Sequence, residues 1–306
     1  MQKLQKLNIR SIKHLCKHLK CSEAELRKYC EHPECYYYCQ PERIIKNKKR
    51  PTATPIGRFS EIIHRLKSLL DRVELPDSLH GGIKGRSPKT NAACHVGKSA
   101  VSNFDIEDFF PSVKPYLVYI LFHGRLGCWS EVSRILTSLV TLNGGLPQGS
   151  PTSTVVANLV IAPLAERLSN LSSKHKCDYS QFVDDGTISG PGYIENLRPL
   201  IEKIIRQEGF RASPKPHKRT TKYRDEEQTV TGVLVNKKIG VPKRKINEVQ
   251  STLTELHTKI GQGQKMSRKD IASIKGKIQH IRTLDRQKGL KLENRLKNIL
   301  KLSHMN

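Results

Sequence analysis

Val101-Ser102-Asn103-Phe104-Asp105-Ile106-Glu107-Asp108-Phe109-Phe110-Pro111-Ser112 changes character halfway along. Its first half, to Ile106, reads as a short strand with an acid near its end, and Glu107 to Ser112 turns into the next helix. Asp105 therefore stands at a strand-to-helix exit. Farther on, Asn143-Gly144-Gly145-Leu146-Pro147-Gln148-Gly149 reads as a loop. Ser150-Pro151 then supplies a cap and a first-turn proline for a helix running through Val155, Leu159, Ile161, Leu164 and Leu168. Tyr179 to Phe182 and Thr187 to Ser189 flank Val183-Asp184-Asp185-Gly186, which predicts a hairpin with two carboxylates at its tip.

Two adjacent aspartates in an otherwise apolar hairpin are costly to bury without cations, because neighbouring carboxylates repel and their charged forms lose hydration. If the strand carrying Asp105 pairs beside that hairpin, three carboxylates converge. They can then hold two Mg2+ ions through hard oxygen ligands, leaving coordination positions for phosphate oxygens. Two-metal phosphoryl transfer needs that arrangement, one ion activating an attacking hydroxyl and the other stabilising the leaving pyrophosphate. Taken alone, Asp184-Asp185-Gly186 reads equally well as an ordinary Asp-Gly turn.

The order of the motifs separates these readings. FDIEDFFPS over Phe104 to Ser112, LPQGSPTS over Leu146 to Ser153 and FVDD over Phe182 to Asp185 together resemble the reverse transcriptase family, across roughly residues 40 to 240. The resemblance implies an α+β right-hand polymerase: fingers, a palm whose antiparallel sheet packs on helices, and a helical basic thumb. It also implies that Asp105, Asp184 and Asp185 are the metal carboxylates. Phe110 matches the sugar-side gate that favours dNTPs over NTPs, while Phe109 reads as core. Gln148 matches a nucleotide-contacting glutamine, and Arg50 lies where fingers supply a cation to the triphosphate. The hairpin tyrosine usual in the family is Phe182 here, which keeps a ring for stacking against a primer end. Of the two lysines after Gly209-Phe210, Lys218 suits the triphosphate-side position better by its spacing to the next motif, with Lys215 left open. Such a lysine can protonate the departing pyrophosphate.

Asn91-Ala92-Ala93-Cys94-His95 fits NAxxH, and Val230-Thr231-Gly232 fits VTG, so within the family the sequence resembles retron reverse transcriptases. Physically, His95 can contact a phosphate or a 2'-hydroxyl, and a Thr-Gly pair permits close backbone approach to nucleic acid. Asn91, His95, Phe182, Val230, Thr231 and Gly232 are accordingly expected on the nucleic-acid or priming side. The plainer alternative is scaffolding, with His95 a satisfied buried histidine and Gly232 a strand turn.

Outside the motifs, residues 9 to 30 show apolar positions at helical spacing, broken at Cys21-Ser22, where Ser22 can cap a second helix with Glu25 three residues on. The basic run Lys46 to Arg50 and Pro51-Thr52-Ala53-Thr54-Pro55 predict an exposed turn or strand edge. Residues 59 to 73 read as an amphipathic helix, and Gly81 to Ser87 as a flexible basic loop. Beyond 240, Ile246, Val249, Leu253 and Leu256, then Ile271, Ile274, Ile278 and Ile281, repeat at helical spacing. Three parts are expected: a helical segment over 1–40, fingers and palm over 41–236, and a thumb over 237–306.

The 306 residues carry 54 Lys and Arg against 28 Asp and Glu, a net +26, which points to a polyanionic partner. Half of that excess lies from Lys237 onward, where 18 basic residues face 5 acidic ones. Cys16, Cys21, Cys30, Cys35 and Cys39 lack the close paired spacing of structural zinc sites and are expected as free, mostly packed thiols. With 36 % hydrophobic residues the chain is too apolar for wholesale disorder, and it has neither a membrane-length apolar run nor a leader-like start. A bacterial cytoplasmic location, with no membrane partner, is expected.

The resemblance implies an enzyme that copies part of a structured noncoding RNA into branched multicopy single-stranded DNA, primed from an RNA 2'-hydroxyl. Host ribonuclease H would trim the template, and a separate effector protein would serve antiphage defence. Alternatives are another bacterial reverse transcriptase, whether diversity-generating, abortive-infection or group II intron-like, or a catalytically silent RNA-binding scaffold.

Overall fold

Serine hydroxyls start the first two helices, because each offers an acceptor to a backbone N–H that the helix leaves unpaired. Ser11 caps α1 (Ile12–Leu19), accepting from His14 N at 3.1 Å. Ser22 and Glu25 form the expected reciprocal box on α2 (Glu23–Glu31), with bonds of 3.1 and 2.7 Å. The computed structural model describes residues 5–45, 48–262, 264 and 267–302; residues 1–4 and the side chains of 41–51, Arg50 among them, lie outside the described residues.

After α2 come β1 (Tyr37–Ile45) and β2 (Lys48–Pro55), an antiparallel pair, then α3 (Gly57–Leu70) and α4 (Pro88–Ala93). In a two-stranded sheet both strands are edges, which accommodates Pro51 and Pro55. The central elements are β3 (Ala100–Asp105), α5 (Phe109–Ser112), α6 (Pro115–Ile120), α7 (Ser130–Val140), α8 (Ser153–Lys174), β4 (Asp178–Phe182), β5 (Asp185–Gly190), α9 (Arg198–Gln207) and β6 (Thr220–Tyr223). A short hairpin, β7 (Thr229–Val230) and β8 (Val233–Leu234), leads to α10 (Lys243–Gly261), α11 (Arg268–Leu284) and α12 (Arg286–Leu302). None of the described helices is long and apolar enough to cross a membrane.

The central sheet is antiparallel in the order β4-β5-β3-β6, and its register sets Asp105 opposite Asp185. Alternation then sorts the side chains. Asp105 and Asn103 share one face with Asp185, Thr187 and Ser189, while Phe104, Tyr179 and Ile188 turn to the other and join the first core. That core also takes Ile9, Leu15, Leu19 and Leu26, so α1 and α2 pack as part of the main body. A second core joins Val230, Val233 and Val235 to Val249, Leu253 and Ile278. Each buried aliphatic side chain contributes on the order of 1.5–3 kcal/mol. Residues 40 and 41 both lie in β1, and the second core takes residues from both sides of 236/237.

The helix after the glycine-rich loop starts later than expected. Its cap is Thr152, and Ser150 bonds the Thr152 hydroxyl at 3.1 Å instead of a helix N–H. The loop is pulled onto β2, where Ala53 N donates to Gln148 O at 2.7 Å, and its turn is closed by Ser153 Oγ donating to Pro147 O at 2.6 Å. All eight cysteines are free thiols: Cys128 and Cys177 are buried, Cys16, Cys21 and Cys30 half-buried, and Cys35, Cys39 and Cys94 exposed.

Gly186 faces its register partner Phe104 so closely that a Cβ would fall inside that ring. Gly186→Ala should therefore lower stability by about 1–3 kcal/mol through overpacking, read as a fall in the urea midpoint at constant slope. Gly192→Ala, with open space around the new methyl, should leave the midpoint within about 0.5 kcal/mol of wild type.

Candidate active site

The β4/β5 hairpin turns on two residues, Val183 and Asp184, with Phe182 opposite Asp185. Val183 adopts φ +59°, a costly conformation for a β-branched residue, so the surroundings must hold it. Gln181 Nε2 donates to Val183 O at 2.8 Å, and Tyr179 OH in turn donates to Gln181 Oε1. Outside β4, Gln181 N donates to Ser78 O and His80 N to Gln181 O, both at 2.7 Å. Gly81 lies so close that a Cβ would overlap Val183, and Asn158 Nδ2 of α8 donates to Gly81 O at 2.7 Å. Far from being a flexible loop, the buried start of Gly81 to Ser87 braces the acidic hairpin. The Gly81-Gly82 pair was the sequence signal for it.

Ile106 N donates to Asp184 O at 3.0 Å, which draws the end of β3 to the turn. Asp105, Asp184 and Asp185 consequently offer carboxylate oxygens within 4.8 Å of one another. Burial, then the charge of Asp105, raises the pKa of Asp184; burial, then Asp184, pushes Asp185 up to about 6. Lys218 Nζ donates to Asp105 at 2.7 Å and stands 3.6 Å from Asp185. Burial works to lower the lysine's pKa, but its bond to Asp105 and the neighbouring carboxylates outweigh that and leave it raised. The intervening chain is tethered where Ser213 N donates to Asp105 O and Glu107 N to Arg211 O, at 2.7 and 2.8 Å. That path delivers Lys218 to the carboxylates and leaves Lys215 exposed. Three hard oxygen donors facing one ammonium suit a divalent cation.

Phe109 is buried in the first core and Phe110 only half-buried beside it, with ring centroids 5.7 Å apart. Leu146 N donates to Phe110 O at 3.0 Å, and a Cβ on Gly145 would come within 2.8 Å of Pro111, so the glycine-rich loop packs directly on α5. Half-buried Gln148 belongs to this loop, which bonds β2 through Ala53. Arg50 lies on β2 opposite Arg43 in backbone register, and Phe182 is half-buried beside the aspartate turn.

Asn91, His95 and Val230, expected on the nucleic-acid or priming side, are all fully buried. His95 Nδ1 lies 2.6 Å from Ser189 Oγ and Nε2 lies 2.8 Å from Ser180 Oγ. The Ser180 hydroxyl donates to Asn91 O, so it accepts from Nε2–H, and Ser189 donates to Nδ1. This assigns a neutral ring, and burial pushes its pKa down to about 4. The scaffolding alternative is therefore the one the packing supports for His95. Thr231 and Gly232 keep partial exposure at φ +51° and +72°, in a two-residue hairpin turn.

His95 makes stability depend on pH. Above the ordinary histidine pKa of ~6.5 the ring is neutral folded or unfolded; between there and about 4 only the unfolded chain takes up the proton, costing about 3 kcal/mol by pH 4. Asp185 acts oppositely over an overlapping range, since its raised carboxyl stays protonated in the fold after the unfolded chain has released the proton. His95→Gln isolates the histidine. The stability gap between wild type and this variant, from urea unfolding, should shrink from pH 7 to pH 4; a constant gap would mean that His95 does not titrate this way.

No protein-family model matches the chain. It is 31 % identical over 220 residues to the retron Mx65 reverse transcriptase of Myxococcus xanthus, covering 65 % of this chain and 51 % of that one. The retron Ec86 reverse transcriptase of Escherichia coli is 29 % identical over 191 residues, covering 61 % and 59 %. For the retron Se72 reverse transcriptase of Salmonella heidelberg the values are 32 % over 208 residues, covering 65 % and 54 %. The matches thus span little more than half the length of these relatives. Among solved structures, a foamy viral protease-reverse transcriptase with double-stranded DNA aligns at a TM-score of 0.44 and 14 % identity, covering 99 % of this chain and 50 % of that one. A Candida albicans telomerase with a telomeric RNA fragment aligns at 0.44 and 11 %, covering 92 % and 67 %. The family to which the ordered motifs, together with NAxxH and VTG, pointed is the family whose members this chain resembles over about two-thirds of its length, the retron reverse transcriptases.

Proposed function

We propose that this chain is the RNA-directed DNA polymerase of a retron, copying part of a structured noncoding RNA into branched single-stranded DNA primed from an RNA 2'-hydroxyl. The observation that carries this reading is the meeting of Asp105, Asp184 and Asp185 beside Lys218. Two Mg2+ ions held by these carboxylates would activate the attacking hydroxyl and offset charge on the leaving pyrophosphate. Lys218 Nζ is the proton donor to that pyrophosphate. Phe110 packs under the incoming deoxyribose, while Gln148 and Arg50 hold the rest of the dNTP. The basic helices α10 to α12 grip the RNA–DNA duplex through phosphates and 2'-hydroxyls. Host ribonuclease H removes copied template in the bacterial cytoplasm, and the DNA product serves antiphage defence with a separate effector.

The deciding experiment purifies the protein from its host, extracts bound nucleic acid and sequences it after RNase and debranching treatment. Short single-stranded DNA joined through a 2',5' linkage is expected; unbranched cDNA would indicate another reverse transcriptase class, and RNA without DNA a silent scaffold. Asp185→Asn should abolish primer extension while changing RNA affinity less than about twofold, since the basic surface is untouched. Retained extension would defeat the assigned site. For Phe110→Ala, ribonucleotide incorporation should rise by an order of magnitude or more, since a steric exclusion is removed; an unchanged dNTP/NTP ratio would take Phe110 out of the gate role.

A further inference from the structure

The face of the sheet that carries Asp105 and Asp185 continues away from them as a row of polar side chains. One step back along both strands, Thr187 Oγ1 donates to Asn103 Oδ1 at 2.8 Å, and Asn103 Nδ2 donates to Thr229 O at 3.0 Å. Thr229 opens the β7/β8 hairpin, so the residue behind the catalytic aspartate of β3 holds the base of that hairpin. Its tip is held separately: Asn91 Nδ2 of α4 donates to Thr231 Oγ1 at 2.6 Å. On the opposite side Lys245 Nζ of α10 donates to Gly232 O at 2.8 Å and lies 3.4 Å from His280 Nε2 of α11. The hairpin's Val230 and Val233 enter the same core as Val249 and Leu253 of α10. One small hairpin therefore bonds the sheet through Asn103 and α4 through Asn91, and joins α10 both through Lys245 and through the shared apolar core.

Thr231 is an unfavourable choice for its place. Its φ of +51° disfavours a β-branched residue, and such turns ordinarily take Asn or Gly. What threonine provides there is the hydroxyl that Asn91 needs, because Asn91 is fully buried and its Oδ1 finds no partner among the described residues. Without Thr231 Oγ1 the side-chain amide would be left unpaired in the interior.

We propose that the Asn91–Thr231 bond, with Asn103–Thr229, is a joint that sets the position of α10 to α12 over the aspartate face, making Asn91, Asn103 and Thr231 positioning residues for a duplex held between them. This rests on the polymerase reading above. A joint of this kind governs how long the duplex stays seated during repeated additions, and it leaves the chemistry of one addition alone.

The test compares Thr231→Val, which removes the hydroxyl and keeps the branched shape, with Thr231→Ser, which keeps the hydroxyl. On a primed RNA template with a trap for released enzyme, Thr231→Val should shorten products per binding event about five- to tenfold, the scale of one lost buried hydrogen bond. The loss of product length should exceed any loss in the rate of the first nucleotide addition from the preformed complex, and Thr231→Ser should restore product length. Adding Asn91→Ala to Thr231→Val should cause little further loss, because both remove the same bond. Unchanged product length in Thr231→Val, or equal losses of product length and first-addition rate, would overturn the joint. A wild-type protein that makes no DNA would overturn the polymerase reading instead. The joint would then be judged by hydrogen exchange of Thr231→Val: faster exchange confined to 229–235 and α10 supports it, and unchanged or global exchange overturns it.

Discussion

Three carboxylates with oxygens inside 4.8 Å of one another repel, and the rest of the central structure is arranged around that repulsion. At an effective dielectric of ~20, each like-charged pair at such a range costs about 3–4 kcal/mol. Lys218 offsets part of it, and the raised pKa values of Asp184 and Asp185 express what remains. A fold that stored this repulsion for no purpose would gain by replacing an aspartate with a neutral residue. A site that takes up divalent cations and the phosphates they carry uses the same crowding as binding energy.

Holding the carboxylates in place transfers the strain to the backbone. Val183 at positive φ carries part of it, and the counterweight is a set of short contacts from segments far away in sequence. Gly81 permits the approach, Asn158 anchors Gly81 from α8, and the Ser78 to His80 backbone adds hydrogen bonds along the free edge of β4. That edge is thereby covered, which also removes an unpaired strand edge from the surface. Behind the aspartates, His95 joins β4 to β5 through two serine hydroxyls, so the hairpin is fixed at both ends.

Much of this was legible in the chain. The strand exit at Asp105, the paired acids at a hairpin tip, the Ser22–Glu25 box and the C-terminal helices follow from local spacing, because the relevant partners lie within a few residues. The start of α8 was misread for the complementary reason: Ser150 and Pro151 carry a good local cap signal, but a backbone bond from Ala53 to Gln148 draws the loop elsewhere. The NAxxH residues were placed on the nucleic-acid side by resemblance and by what an imidazole can bond, and local spacing carries no signal of the partners that bury them.

By itself the sequence picked out the candidate residues and their order: three aspartates, a phenylalanine after the first of them, a lysine beyond them and a strongly basic C-terminal part. The tertiary structure alone decided which of two lysines meets the aspartates, that the loop at Gly81 is a brace, and that Asn91 and His95 are buried. The physical reason is separation along the chain. Asn91 finds its partner at Thr231, His95 at Ser180 and Ser189, and Lys218 at Asp105, each 85 to 140 positions away. A polar side chain's preference for water or the interior is settled only when folding brings such a partner within hydrogen-bonding distance.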